Sequence, residues 1–410
     1  MYLSNIIKTF LSKAGILVIN FLLIILTTHL WGAEGRGTIS ILLADIAVIS
    51  IINNVLAGSS VSFFTPKMGI DRLILPAYIW IFLLTPVSAV IINLFQNHGN
   101  IIYLLIIAIL NSIFTSHLFM FTGKENFKLY NFFSLLTPIL TFTLILVFVF
   151  ILKLKSVESY IYCICLAIFI TWVMSFFKIT PYFLKKPSLS WQTIKEMMHY
   201  GWQIEFSNIL QFLSYRLSYY FILFYLGMGS VGIFSVGIAL AESIWMISRS
   251  IATVQYAKII NNIDNDDGIN ITKSSLKLSM ISSLLVIILL LIVPTEVYGF
   301  IFGPKFLLVK KIILLLFPGI ITIAMSNIYG YYFSAVGKTR ILIIKSLLGV
   351  IVTIGFSILL IPKWGISGAC ITATLSYITS SGCLFFAFHK MSAFRFKDIL
   401  ITKADLNIKF

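Results

Sequence analysis

The sequence predicts an all-α integral membrane protein: twelve transmembrane helices in two six-helix lobes, arranged as parallel repeats around a central polar cavity. Three observations predict it. The 410 residues are 59% hydrophobic and only 11% charged, with a mean hydropathy of +1.02. A soluble domain of this size cannot hide that much apolar surface. The apolar residues run continuously over about 20 residues at a time, the length a helix needs to cross a bilayer, whereas a β-barrel alternates over about 10. The third observation is that the second half of the chain repeats landmarks of the first.

Spans are expected at 13–30, 39–62, 73–94, 101–121, 129–152, 159–178, 201–226, 229–254, 276–297, 312–334, 341–361 and 366–388. The first run ends in THLWGAEGRG without a small-residue cleavage site, so it is expected to stay as a span rather than leave as a signal peptide. The net charge of +16 comes from Lys and Arg placed between the apolar runs. That is the pattern of positive-inside loops facing a lipid bilayer, and nucleic acid is not an expected partner. The tails and the even-numbered loops hold 22 Lys and Arg, against 7 in the odd-numbered loops. This places both termini in the cytoplasm.

The expected organisation is an N-terminal six-helix lobe at 1–178, a linker at 179–200, a C-terminal six-helix lobe at 201–388 and a basic cytoplasmic tail at 389–410. In the linker, Trp191, Ile194 and Met198 recur at helical spacing against Gln192, Lys195, Glu196 and His199. This predicts a short amphipathic helix on the cytoplasmic surface. The repeat rests on two matches. WGAEGRGTIS (31–40) aligns with LGMGSVGIFS (226–235) at an offset of 195, pairing Gly32 with Gly227, Gly37 with Gly232 and Ser40 with Ser235. FTGKENF (121–127) aligns with AVGKTRI (335–341) at an offset of 214, pairing Gly123 with Gly337 and Lys124 with Lys338. Six spans followed by six of the same sense are parallel repeats about an axis along the membrane normal.

Residues 201–254 carry the most unusual feature, charges inside spans. A charge at bilayer depth costs roughly 3 kcal/mol on insertion scales, so such groups face one another or water. Arg216 reads either as a structural ion pair or as an anion-binding group, for which the planar guanidinium fork suits phosphate. Glu242 and Asp45 read either as partners of Arg216 or Arg249 or as sites for a coupling ion, H⁺ or Na⁺. Glu205, a turn inside the cytoplasmic end, is a third such carboxylate and is expected to reach water. His29 and His117 are lone histidines, more simply explained by packing or hydrogen bonding. Pro76, Pro86, Pro138 and Pro318 are expected to interrupt their spans. Cys163, Cys165, Cys370 and Cys383 lie in apolar spans with no CxxC pair and read as packing residues. Gly123-Lys124 and Gly337-Lys338 lack the Walker pattern, and NDD at 265–267 lacks EF-hand spacing, so neither nucleotide nor metal is an expected cofactor.

HLWGAEGRGTISILLADIAV, the stretch GWQIEFSNILQFLSYRLSYYFILFYLGMGSVGIFSVGIALAES and the two Gly-Lys loops resemble the Wzx-type polysaccharide flippases of the multidrug/oligosaccharidyl-lipid/polysaccharide (MOP) exporter superfamily. The most specific pieces are Gly32-x-Glu34-Gly35-Arg36-Gly37 and Tyr200-Gly201 followed by Arg216. His29 stands where the family often carries Arg, which makes any cationic role there pH-dependent. The resemblance implies a MOP/MATE-like fold and a substrate, an undecaprenyl-diphosphate-linked oligosaccharide repeat unit. It would be flipped from the cytoplasmic to the periplasmic leaflet of a bacterial inner membrane by ion-coupled alternating access, in O-antigen or lipopolysaccharide assembly. Arg216, His29, Arg36 and Arg249 would bind the head group, and Glu242, Asp45 and Glu205 would serve the coupling ion. Other polysaccharide-assembly proteins, such as the polymerase, would be partners. Two alternatives stand beside it: a MATE-like drug/ion antiporter, and a membrane-embedded glycosyltransferase or polymerase. The latter needs a large extramembrane catalytic loop, and the longest loop here, about 20 residues, is basic and expected on the cytoplasmic side.

Overall fold

The computed structural model describes residues 2–96, 101–183, 189–261, 265–338 and 340–392. Residues 393–410 of the expected tail and 184–188 of the expected linker lie outside them. All regular elements among the described residues are helical. They are α1 (Tyr2–Ala57), α2 (Ser59–Met68), α3 (Ile70–Gln96), α4 (Ile101–Gly123), α5 (Phe127–Leu146), α6 (Glu158–Phe183), α7 (Trp191–Leu226), α8 (Met228–Asn261), α9 (Asn265–Ile292), α10 (Thr295–Phe302), α11 (Val309–Ala335) and α12 (Arg340–Ser392).

Among the described residues, ten apolar stretches are long enough to cross a membrane, and two of them, Leu11–Met68 and Arg340–Ser392, are 58 and 53 residues long. At about 1.5 Å per residue each would measure roughly 80 Å, more than twice the hydrocarbon core. Both are broken by a glycine with positive φ, Gly32 at 62° and Gly365 at 58°. These backbone angles are closed to residues with a Cβ. That the chain reverses there is visible in the packing. Leu23 and Ile39 share one apolar cluster, although 16 residues of straight helix would part them by about 24 Å. A Cβ on Gly368 would lie 2.2 Å from the Leu360 carbonyl oxygen. Each long helix is therefore two crossings, and ten stretches make the twelve expected.

The prolines do not interrupt their spans. Pro76 and Pro86 lie within α3, Pro138 within α5 and Pro318 within α11, and each helix continues through. A proline removes one backbone donor, which neighbouring helices can offset; the reversals fall at glycines instead. The amphipathic segment expected as a separate helix is the start of α7, which runs unbroken for 36 residues.

The chain forms two compact units, residues 1–31 with 38–209, and residues 32–37 with 210–410. The first is packed around Ile49, Leu56, Leu73, Ile74, Ile107 and Phe133. The second has a core of Ile328, Tyr329, Phe333, Leu384 and Phe388. Segment 32–37, the tip of the first hairpin, thus belongs with the second unit.

The repeat is visible in loop geometry, with one correction. After α4, the Asn126 N–H donates to the Phe121 carbonyl (2.8 Å) and the Glu125 N–H to Thr122 (2.9 Å). After α11, the Lys338 N–H donates to Phe333 (2.8 Å) and the Gly337 N–H to Ser334 (3.3 Å). Both are Schellman caps, with Glu125 and Gly337 as the left-handed residues at φ 57° and 74°. The structural register pairs Glu125 with Gly337, so the expected pairing of Gly123 with Gly337 is two residues out. Letter identity at Gly-Lys misled the alignment, because the cap is defined by backbone angles and Glu occupies the glycine position in the first copy.

Candidate functional site

The α7–α8 hairpin turns at Gly227, φ 80°. Arg216 lies about 16 Å before the turn and Glu242 about 22 Å after it, within reach of a long guanidinium arm. They form an ion pair, Arg216 Nη2 to Glu242 Oε2 at 2.7 Å, with side chains 25% and 26% exposed. Arg216 Nη1 donates to the Tyr219 hydroxyl at 3.1 Å, and the guanidinium stands 5.3 Å from the Tyr219 ring centroid. The i, i+3 spacing on α7 puts cation and ring on one face. Tyr219 in turn rests edge-on against Phe234, 5.5 Å between centroids.

One turn further along α7, Tyr215 meets Trp245 of α8 and Tyr377 of α12, with centroids 5.3 to 5.6 Å apart. Gln211 Nε2 donates to the Tyr215 hydroxyl at 3.1 Å. The Trp245 indole N–H and the Tyr377 hydroxyl are buried without a hydrogen-bond partner among the described residues. Buried donors of this kind cost about 1–3 kcal/mol each, and most proteins satisfy them. The cluster is backed by a seam of small hydroxyls. Thr353 Oγ1 donates to Ser376 Oγ (2.9 Å), Ser376 Oγ to the Gly349 carbonyl (2.9 Å), and the Ser214 and Ser376 hydroxyls lie 3.1 Å apart. This seam ties α7 to both arms of α12.

Cations surround the aromatic groups. Arg36, buried, lies within electrostatic range of Tyr219. Arg249, exposed and two turns beyond Glu242 on α8, acts on Tyr215 and on Lys345 of α12. Arg216 thus pairs with Glu242, while Arg36 and Arg249 flank the tyrosines beside it. Chemically, Arg216 and Arg249 can hold an anion beside a buried aromatic cluster whose Trp245 and Tyr377 donors are unfilled among the described residues.

The structure brings Arg36, Arg216, Glu242 and Arg249 into the second unit. His29, Asp45 and Glu205 belong to the first. His29 is exposed, and its Nδ1–H donates to the Ile25 carbonyl of its own helix at 3.1 Å. Asp45 is buried at 1% exposure. Glu205, expected to reach water, is 3% exposed. It accepts from Ser59 Oγ at 2.8 Å and from Asn208 Nδ2 at 3.0 Å. The α7 face that carries it is packed inside the unit, beyond the reach of solvent. His117 is hydrogen-bonded, as expected, between the Tyr78 hydroxyl (2.5 Å) and the Ser175 hydroxyl (2.7 Å).

Sequence reasoning passed over Tyr215, Tyr219, Trp245, Tyr377 and Lys345. Tyr219 carried a usable signal, an aromatic residue three positions from an intramembrane Arg. Lys345, one of the 22 Lys and Arg counted for the tails and even-numbered loops, lies five residues into its expected span.

Beside the hairpin tips is an open pocket of about 410 Å³, lined by Ala33, Glu34, residues 226–230, Ile233 and Lys305.

A polytopic helical bundle with this layout has the fold of the MOP superfamily. An inward-facing multidrug resistance MATE family transporter of that superfamily matches with a TM-score of 0.73 at 14% identity, over 94% of each chain. The lipid II flippase MurJ, in an inward closed conformation, matches with a TM-score of 0.74 at 16% identity, over 97% of this chain and 89% of that one. A MOP superfamily transporter from Pyrococcus furiosus, whose binding pocket has reverse polarity suggesting a different function, matches with a TM-score of 0.65 at 14% identity over 94% of both. Residues 73–311, more than half of the chain, match the polysaccharide biosynthesis protein family, and the chain belongs to it. No curated protein matches it in sequence.

Proposed function

We propose that this protein is a transporter rather than an enzyme: a flippase for undecaprenyl-diphosphate-linked oligosaccharide repeat units. It moves them from the cytoplasmic to the periplasmic leaflet of a bacterial inner membrane by alternating access. The observation that carries the reading is the part-exposed Arg216–Glu242 pair inside two spans, with Arg36 and Arg249 beside the tyrosines that flank it, in a member of a polysaccharide biosynthesis family. A diphosphate joined to sugars cannot cross hydrocarbon, because each unpaired polar group costs several kcal/mol. Arg36, Arg216 and Arg249 are the groups to hold the diphosphate. Tyr215, half-buried, offers a sugar ring a stacking face, backed by the buried Trp245 and Tyr377. The polyprenyl tail stays in lipid.

Glu242 is the first candidate to take the coupling ion, H⁺ or Na⁺, because uptake would release Arg216 for the substrate. Asp45 and Glu205 in the first unit are further candidates, and His29 is a weaker substrate contact. Both termini are cytoplasmic on the 22-to-7 charge asymmetry. Outward movement of the anion is then favoured by an inside-negative potential, by roughly 2.3 kcal/mol per charge per 100 mV. The polymerase and other assembly proteins are the expected partners.

A second reading, a MATE-like drug/ion antiporter, is favoured by one observation: a carboxylate beside three packed aromatic rings suits a lipophilic cation. Proteoliposomes decide between the two. Flipping of a fluorescent lipid-linked oligosaccharide without uptake of a cationic dye supports the flippase. Dye uptake against a proton or sodium gradient without flipping supports the antiporter.

A further inference from the structure

The tips of two hairpins meet in the second unit at backbone distance. A Cβ added to Gly37 would stand 2.0 Å from the Met228 carbonyl oxygen. A Cβ added to Gly232 would stand 1.9 Å from the Ala33 carbonyl oxygen and 2.9 Å from the Gly37 nitrogen. Neither distance is open to a real side chain, and the opposing atoms are main chain.

The repeat offset of 195 that pairs Gly32 with Gly227 also pairs Ala33 with Met228 and Gly37 with Gly232. Applied to the first approach, Gly37 on Met228, it produces the second, Gly232 on Ala33. The two are one contact made twice with the partners exchanged, the pattern of an isologous two-fold interface, here inside one chain. The turn glycines hold both tips alike, Gly32 at φ 62° and Gly227 at φ 80°.

We propose that these tips form a reciprocal glycine clasp that parts once per transport cycle. Close approach of glycine backbones gives van der Waals contact and weak Cα–H···O bonds, which bind helices in lipid where no hydrophobic drive does. Each such contact is weak, so the clasp holds by fit. The tip 32–37 leaves the second unit when it opens. The 410 Å³ pocket beside it, lined by both tips, then loses one wall. On the topology proposed above, the clasp faces the periplasm.

The inference rests on the alternating-access reading, and its first test needs no lipid-linked sugar, so it stands or falls apart from the substrate. In full-length protein with its four native cysteines replaced, Ser230→Cys reports on the pocket rim. Labelling by a membrane-impermeant maleimide is measured in right-side-out vesicles. Gly37→Ala and Gly232→Ala are each expected to raise labelling about tenfold, by shifting the closed–open equilibrium. By the symmetry of the contact the two should act alike. Gly229→Ala, where the added Cβ would find only ordinary contact at 3.5 Å from the Glu34 side chain, should leave labelling unchanged. Unchanged labelling in folded Gly37→Ala and Gly232→Ala, or an equal rise in Gly229→Ala, overturns the clasp. Should the glycine variants fail to fold, Ala33→Cys with Met228→Cys joined by a short bis-maleimide replaces them. Transport arrested by the cross-link supports the clasp, and transport at the uncross-linked rate overturns it.

Discussion

In the first unit, Asp45 is 1% and Glu205 3% exposed, and His117 is enclosed between two hydroxyls. In the second, Arg216 and Glu242 are each a quarter exposed and joined by a single 2.7 Å contact. Both units are helical bundles with ionisable groups inside spans, yet one holds them closed and the other leaves them reachable. Enclosed polar groups with complete hydrogen bonds specify packing. A part-exposed ion pair with one contact can exchange a partner, and the unfilled donors of Trp245 and Tyr377 lie beside it. The difference separates an enclosed set of ionisable groups from a partly exposed pair more sharply than the placement of charge in the sequence does.

The sharpest way to break this comparison is to remove the pair in two steps. Arg216→Ala should reduce transport about 100-fold, and it also leaves Glu242 unpaired. Breaking a buried pair on one side costs roughly 3–5 kcal/mol, and less at a site a quarter exposed. Arg216→Ala with Glu242→Ala removes the orphaned charge, so it should recover expression and melting temperature but not transport. A double variant that transports normally would make the pair a structural element, like those of the first unit. Glu242→Gln alone keeps the shape and one acceptor. It should retain substrate binding and lose dependence on the ion gradient, and unchanged dependence would remove Glu242 from coupling.

The first unit should respond in the opposite way. Glu205→Ala strands the Ser59 hydroxyl and the Asn208 amide, at about 1–3 kcal/mol for buried unsatisfied groups, with transport per folded molecule unchanged. Glu205→Gln can accept from the Asn208 amide through its carbonyl oxygen and donate to the Ser59 hydroxyl through its own amide, and should melt near the parent protein. Loss of gradient dependence in Glu205→Gln would place an ion-coupling carboxylate in the first unit and undo the division of labour.

Much of this was legible in the sequence for physical reasons. The spans are, because hydrocarbon admits only long apolar helices. The turns at Gly32 and Gly227 are, because positive φ selects glycine. Arg216 and Glu242 are, because a charge in a span needs a partner. The environment of Glu205 was not, because one turn of helix separates a solvent-facing from a buried position and the sequence does not fix rotation. The effect of Pro76, Pro86, Pro138 and Pro318, expected to interrupt spans that instead run through them, was not legible, because it depends on neighbours that a sequence does not display. Lys345 and the aromatic cluster were missed because they come together from α7, α8 and α12, elements far apart in the chain.

The smallest expected effect tests whether the two halves are equivalent at all. The caps after α4 and α11 have the same two hydrogen bonds, but the left-handed position holds Glu125 in one and Gly337 in the other. A side chain in that conformation costs about 1 kcal/mol relative to glycine. Glu125→Gly removes this strain while adding freedom to the unfolded chain, so a net gain of about 0.5 kcal/mol is expected. Gly337→Ala introduces the strain and should lose about 1 kcal/mol. Read by thermal unfolding in detergent, the two should move in opposite directions by no more than a few degrees. Shifts of the same sign would mean that the two loops, alike in hydrogen bonding, carry different loads. The register that pairs Glu125 with Gly337 would then describe shape without shared energetics, and the comparison between the units would lose its common reference point.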